Sequence, residues 1–271
     1  MMICTDDFVF VHFPKTGGTF VADVLQRVLS QTGRRYEEEE MHARATGIPS
    51  VHQGKPILAC VRSPYDLKVS QYQYRWWKSR ESKPILKELH KRCPGYRNWT
   101  FEEYVVGWDQ FVPLALSNAA RNPFTRTVGQ YSQKFIDFFF RAPDAFFADL
   151  TEEMLLGDLE QAMFPVTFLT TETLNDGLCD FLLRHGFKEE EVAFIRDEKR
   201  ILPPGAVRSR NDRWQQHYTP GLKAYVRQQE RLMFKLFPEF EERTPSTGSS
   251  GVSDAPEPTD AMHGNPSTVA S

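Results

Sequence analysis

The segment FVFVHFPKTGGTF, residues 8–20, sets a lysine, two threonines and paired glycines between a continuous apolar run and a stretch of helical periodicity. A loop that leaves a buried strand and opens a helix offers free backbone N–H groups, and the helix dipole adds partial positive charge. Such a loop binds anions. Gly17 and Gly18 would let the backbone approach an anion without a Cβ in the way, Lys15 supplies a point charge, and Thr16 and Thr19 offer hydroxyls. The order of the residues narrows the anion. Nucleoside triphosphatases place the lysine and the metal-binding hydroxyl after the last glycine. Here Lys15 precedes Gly17 and Gly18, and the leading glycine is missing, which disfavours ATP or GTP hydrolysis. The bland alternative is a tight turn that needs glycine between strand and helix.

A second segment, CVRSPYDLKVSQY, carries Arg62, Pro64, Asp66 and Ser70 at the end of an apolar run. By itself it reads as a surface arginine and an exposed helical serine. Together, over residues 8–74, the two segments resemble the sulfotransferases, in particular the bacterial and glycan O-sulfotransferase types. The resemblance implies a nucleotide-binding fold of the P-loop-NTPase type and 3′-phosphoadenosine 5′-phosphosulfate (PAPS) as sulfuryl donor. It assigns Lys15, Thr16, Gly17, Gly18, Thr19 and Phe20 to the phosphosulfate end of the donor, and Arg62 and Ser70 to its 3′-phosphate. It also suggests that Arg208 or Arg210, in GAVRSRND, closes over that phosphate; a solvated surface loop is the competing reading. No metal is expected. A sulfuryl group carries less negative charge than a γ-phosphoryl group, so one lysine and backbone dipoles can do what kinases assign to magnesium.

An acceptor hydroxyl must lose its proton as it attacks sulfur, and histidine suits that task near neutral pH. Between the two motifs stands EEEEMHARATGIPSVHQGKP, with His42 and His52. The resemblance places a catalytic histidine on this segment, and His42 matches best, with Lys15 stabilising the leaving bisphosphate. A glutamate base is the alternative. Glu37 to Glu40, however, read as a solvated acidic run. His12, in the first strand, reads as a residue that shapes the loop. The mixed aromatic and basic stretch YQYRWWKSR, residues 72–80, suits either a stacking surface or a packed helix.

These residues need elements to hold them. Residues 8–13, 55–61 and 164–170 read as buried strands. Helical spacing covers 19–29, 63–77, 173–185, 189–199 and 220–237, with Ser63 as N-cap, Pro64 at the first helical position and Asp66 in the first turn of the second helix. The phenylalanine-rich stretch at 135–147 reads as core. Alternation of strand and helix predicts an α/β three-layer fold, a central, mostly parallel sheet flanked by helices, with ligands at the carboxyl ends of the strands. One domain over residues 1–243 is expected, followed by a disordered tail at 244–271 rich in Pro, Ser, Thr and Gly. A net charge of −3 argues against nucleic acid as the main partner. The four scattered cysteines suggest neither a zinc site nor disulfides. With no stretch approaching the roughly 20 apolar residues of a membrane span, the expectation is a cytoplasmic enzyme whose partners are PAPS and a hydroxylated glycan, lipid or metabolite. A nucleotide or small-molecule kinase, or a non-catalytic nucleotide-binding protein, are the alternatives.

Overall fold

The apolar runs become strands of one five-stranded sheet in the computed structural model, which describes residues 1–78, 84–115, 122–199 and 213–242. The strands are β1 (Met2–Thr5), β2 (Val9–Val11), β3 (Tyr36–Glu39), β4 (Ile57–Val61) and β5 (Val166–Thr170), in the order β3-β1-β2-β4-β5. The pairs β2–β4 and β4–β5 are parallel, whereas β1 runs antiparallel to both β2 and β3. The sheet is therefore mixed. Its parallel half is the part that was expected. The antiparallel half comes from a β1–β2 hairpin and from the acidic run, since Glu37, Glu38 and Glu39 pair with Cys4, Ile3 and Met2 on an edge strand while remaining exposed.

Twelve helices are described: α1 (Gly18–Thr32), α2 (Pro64–Tyr74), α3 (Pro84–Arg92), α4 (Phe101–Ala115), α5 (Gln130–Phe139), α6 (Pro143–Asp149), α7 (Glu152–Leu156), α8 (Leu174–Arg184), α9 (Glu189–Val192), α10 (Pro220–Gln229), α11 (Arg231–Leu236) and α12 (Glu239–Glu242). Strand alternation sends neighbouring side chains to opposite faces. Ile3, Phe10, Leu58 and Leu169 pack with α1 and α8 in one core, while Val9, Val11, Ile57, Ala59 and Val61 pack with α2, α4, α5, α10 and α11 in the other. This gives the three layers of the α/β reading. Phe135, Phe138, Phe139, Phe140 and Phe147 are buried, as the phenylalanine-rich stretch suggested.

Three long helical patterns are interrupted. The pattern at 63–77 leaves the α-helix at Tyr74, where Arg75 is left-handed, and continues as a 3-10 turn, Trp76–Lys78. The pattern at 189–199 is α9 followed by a 3-10 turn, Ala193–Asp197. The pattern at 220–237 breaks at Glu230 between α10 and α11, where the glutamate turns a fully buried carboxylate inward. The loops after β2 and after β4 both lie at the carboxyl ends of adjacent parallel strands, which places the two sequence motifs side by side.

Candidate active site

The loop after β2 is held by its own hydrogen bonds. Thr16 is fully buried, and its hydroxyl donates to the Phe13 carbonyl at 2.8 Å, so this hydroxyl closes the turn and does not face a ligand. Phe20 points into the core at 2% exposure, and its amide donates to the Gly17 carbonyl at 3.0 Å. The Thr16 hydroxyl and the Phe20 amide and ring are thus engaged by the protein itself. The amides of Gly17, Gly18 and Thr19 are engaged by no hydrogen bond among the described residues, Thr19 is exposed, and the first turn of α1 contains no acidic residue. That donor set fits an anion.

Each glycine has a separate reason. Gly17 has φ of 91° and is the left-handed N-cap of α1. Gly18 has the His12 ring against it: a Cβ there would lie 2.1 Å from His12 Cδ2. His12 thus shapes the loop, as its position in the strand suggested. It is 7% exposed, and burial lowers its pKa to about 4, which keeps the ring neutral.

Lys15 also has a left-handed backbone, with φ of 66°. Its carbonyl lies 3.4 Å from Arg62 Nη1, and its ammonium sits over the Tyr74 ring, 3.0 Å from the centroid. Burial, reinforced by the Arg62 charge, lowers its pKa to about 8. Arg62 Nε donates to Asp66 Oδ2 at 2.6 Å. Arg62, Asp66, Ser70 and Tyr74 are spaced by four residues, so Asp66, Ser70 and Tyr74 form one row along α2. Lys15 contacts Tyr74 at one end of that row and, beyond the other end, Arg62, with Ser70 between them in sequence. Ser70 is half-buried and makes no side-chain hydrogen bond among the described residues. Ser63 takes the expected N-cap position of α2, with Pro64 and Asp66 in the first turn, although the buried Ser63 hydroxyl makes no capping hydrogen bond.

His42 reaches the same place from the segment after β3. Its backbone is left-handed, with φ of 66°, and Nδ1 lies 3.2 Å from the His12 carbonyl. That contact requires Nδ1–H as donor, leaving Nε2 with a free lone pair. The His42 and His12 rings meet edge to face at 4.9 Å between centroids. Burial lowers the His42 pKa, opposed by its bond to His12 and assisted by nearby Lys134 and Lys15. His52 lies elsewhere, buried, with Nδ1 2.9 Å from Lys55 Nζ and Nε2 3.5 Å from Glu37. Arg208 and Arg210 fall outside the described residues.

The structure thus brings Lys15, Arg62, His42 and the loop amides into one site. Two participants were not anticipated. Tyr74, in the aromatic and basic stretch at 72–80, carried a further signal, its four-residue offset from Ser70. Tyr131 and Lys134 lie on α5 and had none, because only the packing of α5 against Phe13 brings them here: Tyr131 stacks on Phe13 with centroids 5.4 Å apart.

No protein-family model matches the chain, and no curated protein matches it by sequence. Among solved structures, the chain is similar to the crystal structure of mouse sulfotransferase SULT7A1 complexed with PAP. The TM-score is 0.41 and the identity 13%, over 90% of this chain and 86% of that one. At that distance the likeness assigns no residue here. The site must be read from its own side chains. Among the described residues no helix is long and apolar enough to cross a membrane, and no group of three metal-ligating side chains is found.

Proposed function

We propose that this chain is a sulfotransferase that moves the sulfuryl group of PAPS to a hydroxyl of a glycan or small-molecule acceptor. The observation that carries the reading is the contact between the two motifs: the Arg62 guanidinium against the carbonyl of Lys15, at the mouth of the loop whose amides are free. Two anion-binding groups on adjacent strand ends suit a nucleotide with phosphates at both its 5′ and 3′ positions.

In this reading the amides of Gly17, Gly18 and Thr19, the Thr19 hydroxyl and Lys15 hold the phosphosulfate end. Arg62, fixed by Asp66, and Ser70 hold the 3′-phosphate. His42 is the base. Its Nδ1–H is committed to the His12 carbonyl, so Nε2 takes the acceptor proton, and the lowered pKa keeps that nitrogen unprotonated near neutral pH. The acceptor oxygen forms a bond to sulfur as the bond from sulfur to the 5′-phosphate oxygen breaks, and adenosine 3′,5′-bisphosphate leaves. Lys15, still largely cationic at pH 7 with a pKa of about 8, stabilises the charge that grows on that oxygen. No metal is assigned a role. Arg208 and Arg210 belong to the same proposal as closing residues. A cytoplasmic setting is part of it too, in keeping with four unpaired cysteines.

The test is labelled sulfuryl transfer from PAPS to a panel of glycan, lipid and small hydroxylated acceptors, together with calorimetric binding. Binding of adenosine 3′,5′-bisphosphate and label in an acceptor are expected. Binding of ATP with magnesium but not of the bisphosphate would sink the reading in favour of a kinase.

A further inference from the structure

Lys68 lies in α2 between Asp66 and Ser70, yet it is 1% exposed and faces away from the donor site. Its ammonium meets two carboxylates, Asp109 of α4 at 2.5 Å and Glu230 at 3.3 Å. Glu230 is fully buried. It accepts hydrogen bonds from the amides of Tyr131 and Ser132, at 3.2 and 2.8 Å, and from the Ser132 hydroxyl at 2.8 Å. Those amides open α5, so the carboxylate complements the positive end of that helix. The fit is close: a Cβ on Gly129 would lie 2.4 Å from Glu230 Cδ.

From this buried cluster a single residue reaches the site. The Tyr131 hydroxyl accepts the amide of Arg62 at 3.1 Å, while its ring stacks on Phe13 at the start of the anion-binding loop. The loop, Arg62 and α2 therefore share one support. We infer that Tyr131 is a positioning residue for Arg62, held in register by Glu230 and Lys68, and that this support sets the enzyme's preference for a nucleotide carrying a 3′-phosphate. The inference rests on the proposed donor assignment. A burial argument agrees with it. Replacing buried ions by packed apolar groups often costs nothing in stability, so an ion cluster at this junction is better explained by the geometry it fixes: it ties α2, α4 and α5 to the α10–α11 break through directional bonds that the surrounding apolar core does not supply.

Calorimetric titration of the full chain with adenosine 3′,5′-bisphosphate and with 5′-AMP tests the link. Tyr131→Phe keeps the ring and its stack on Phe13 and deletes only the hydroxyl. It should weaken bisphosphate binding about three- to tenfold, the worth of one hydrogen bond, and leave 5′-AMP binding unchanged. Equal losses for both ligands would point to general loosening and overturn the inference, as would no loss for either. If wild-type protein bound the bisphosphate no more tightly than 5′-AMP, the assignment of Arg62 to a 3′-phosphate would fail at its root. Amide hydrogen exchange gives a readout without ligand: the Arg62 amide should exchange faster in Tyr131→Phe and in Glu230→Gln. Unchanged protection of that amide in a folded Tyr131→Phe protein would refute the positioning role by itself.

Discussion

Replacing Gly18 by alanine tests whether the loop and the proposed base, His42, are one mechanical unit. The new Cβ would lie 2.1, 2.6 and 2.9 Å from His12 Cδ2, Nε2 and Cγ. An ordinary contact needs about 3.5 Å or more, so the ring must retreat by more than an ångström. It has little room, being 7% exposed, stacked on Phe10 and set edge to face against His42. Overpacking of this kind costs about 1–3 kcal/mol. The gain in helix propensity offsets at most ~1 kcal/mol. Because His42 is fixed by the His12 carbonyl, displacement of residue 12 also displaces His42, the proposed base. Urea unfolding should show a net loss of about 1–2 kcal/mol, and turnover should fall tenfold or more. The companion measurement is a double-mutant cycle with His12→Ala. With the ring removed the alanine fits, so the two changes should couple by about 1 kcal/mol or more, within the range for residues in contact. Additive effects, or a Gly18→Ala protein of wild-type stability, would refute the argument that the glycine exists to admit this ring.

The other predictions concern protons and charge. His42→Ala should remove most turnover while leaving bisphosphate affinity nearly unchanged; in the wild type the acid limb of kcat should lie below the ordinary histidine value near 6.5, because burial lowers this pKa. A His42→Ala enzyme with wild-type kcat would mean that another group is the base. Lys15→Ala should lower kcat as well as affinity, and wild-type kcat/KM should decline as pH rises through about 8, where the free amine loses its proton; an effect on KM alone would contradict its role at the leaving oxygen. For stability, the His12 pKa of about 4 lies below its unfolded value near 6.5, so the unfolded chain binds more protons between those two values. Stability should therefore fall as pH drops from about 6.5 to about 4, by at most ~3 kcal/mol from this group. His12→Ala should flatten that window in a series of urea titrations, and an unchanged slope would remove His12 as its source.

The parts of this molecule visible in the sequence are those encoded locally. Residues 8–13 and 55–61 announced β2 and β4 because both faces of a central parallel strand are buried, which leaves an unbroken apolar run. Pro64 and Asp66 marked the start of α2 for equally local reasons. The edge strand β3 was hidden because an edge needs no apolar face: Tyr36–Glu39 pairs through its backbone while its glutamates stay in water, and a charged run is also what blunts an exposed edge. The partner of the Thr16 hydroxyl was open in the sequence for a similar reason. A hydroxyl in an anion loop suits a ligand and a turn alike, and only the 2.8 Å bond to Phe13 decides between them. Glu230 lay beyond reach altogether, since its partners, Lys68, Tyr131 and Ser132, are separated from it by about a hundred residues or more.

The placement of Lys15 before the glycines now has a structural sense that no motif supplies. A lysine after the last glycine would sit inside the first turn of α1. Before the glycines, with a left-handed backbone, it turns its carbonyl to Arg62 and lays its ammonium on Tyr74, next to the row that contains Ser70. It thereby joins the two anion-binding groups. A cation over an aromatic face is held by roughly 0.5–2 kcal/mol, little enough for an arriving phosphosulfate to draw it away. On the proposed reading the ring is a resting place for a charge that the transfer step calls on elsewhere. Tyr74 keeps the ammonium beside the site while leaving it free to move, which a carboxylate in the same position would not.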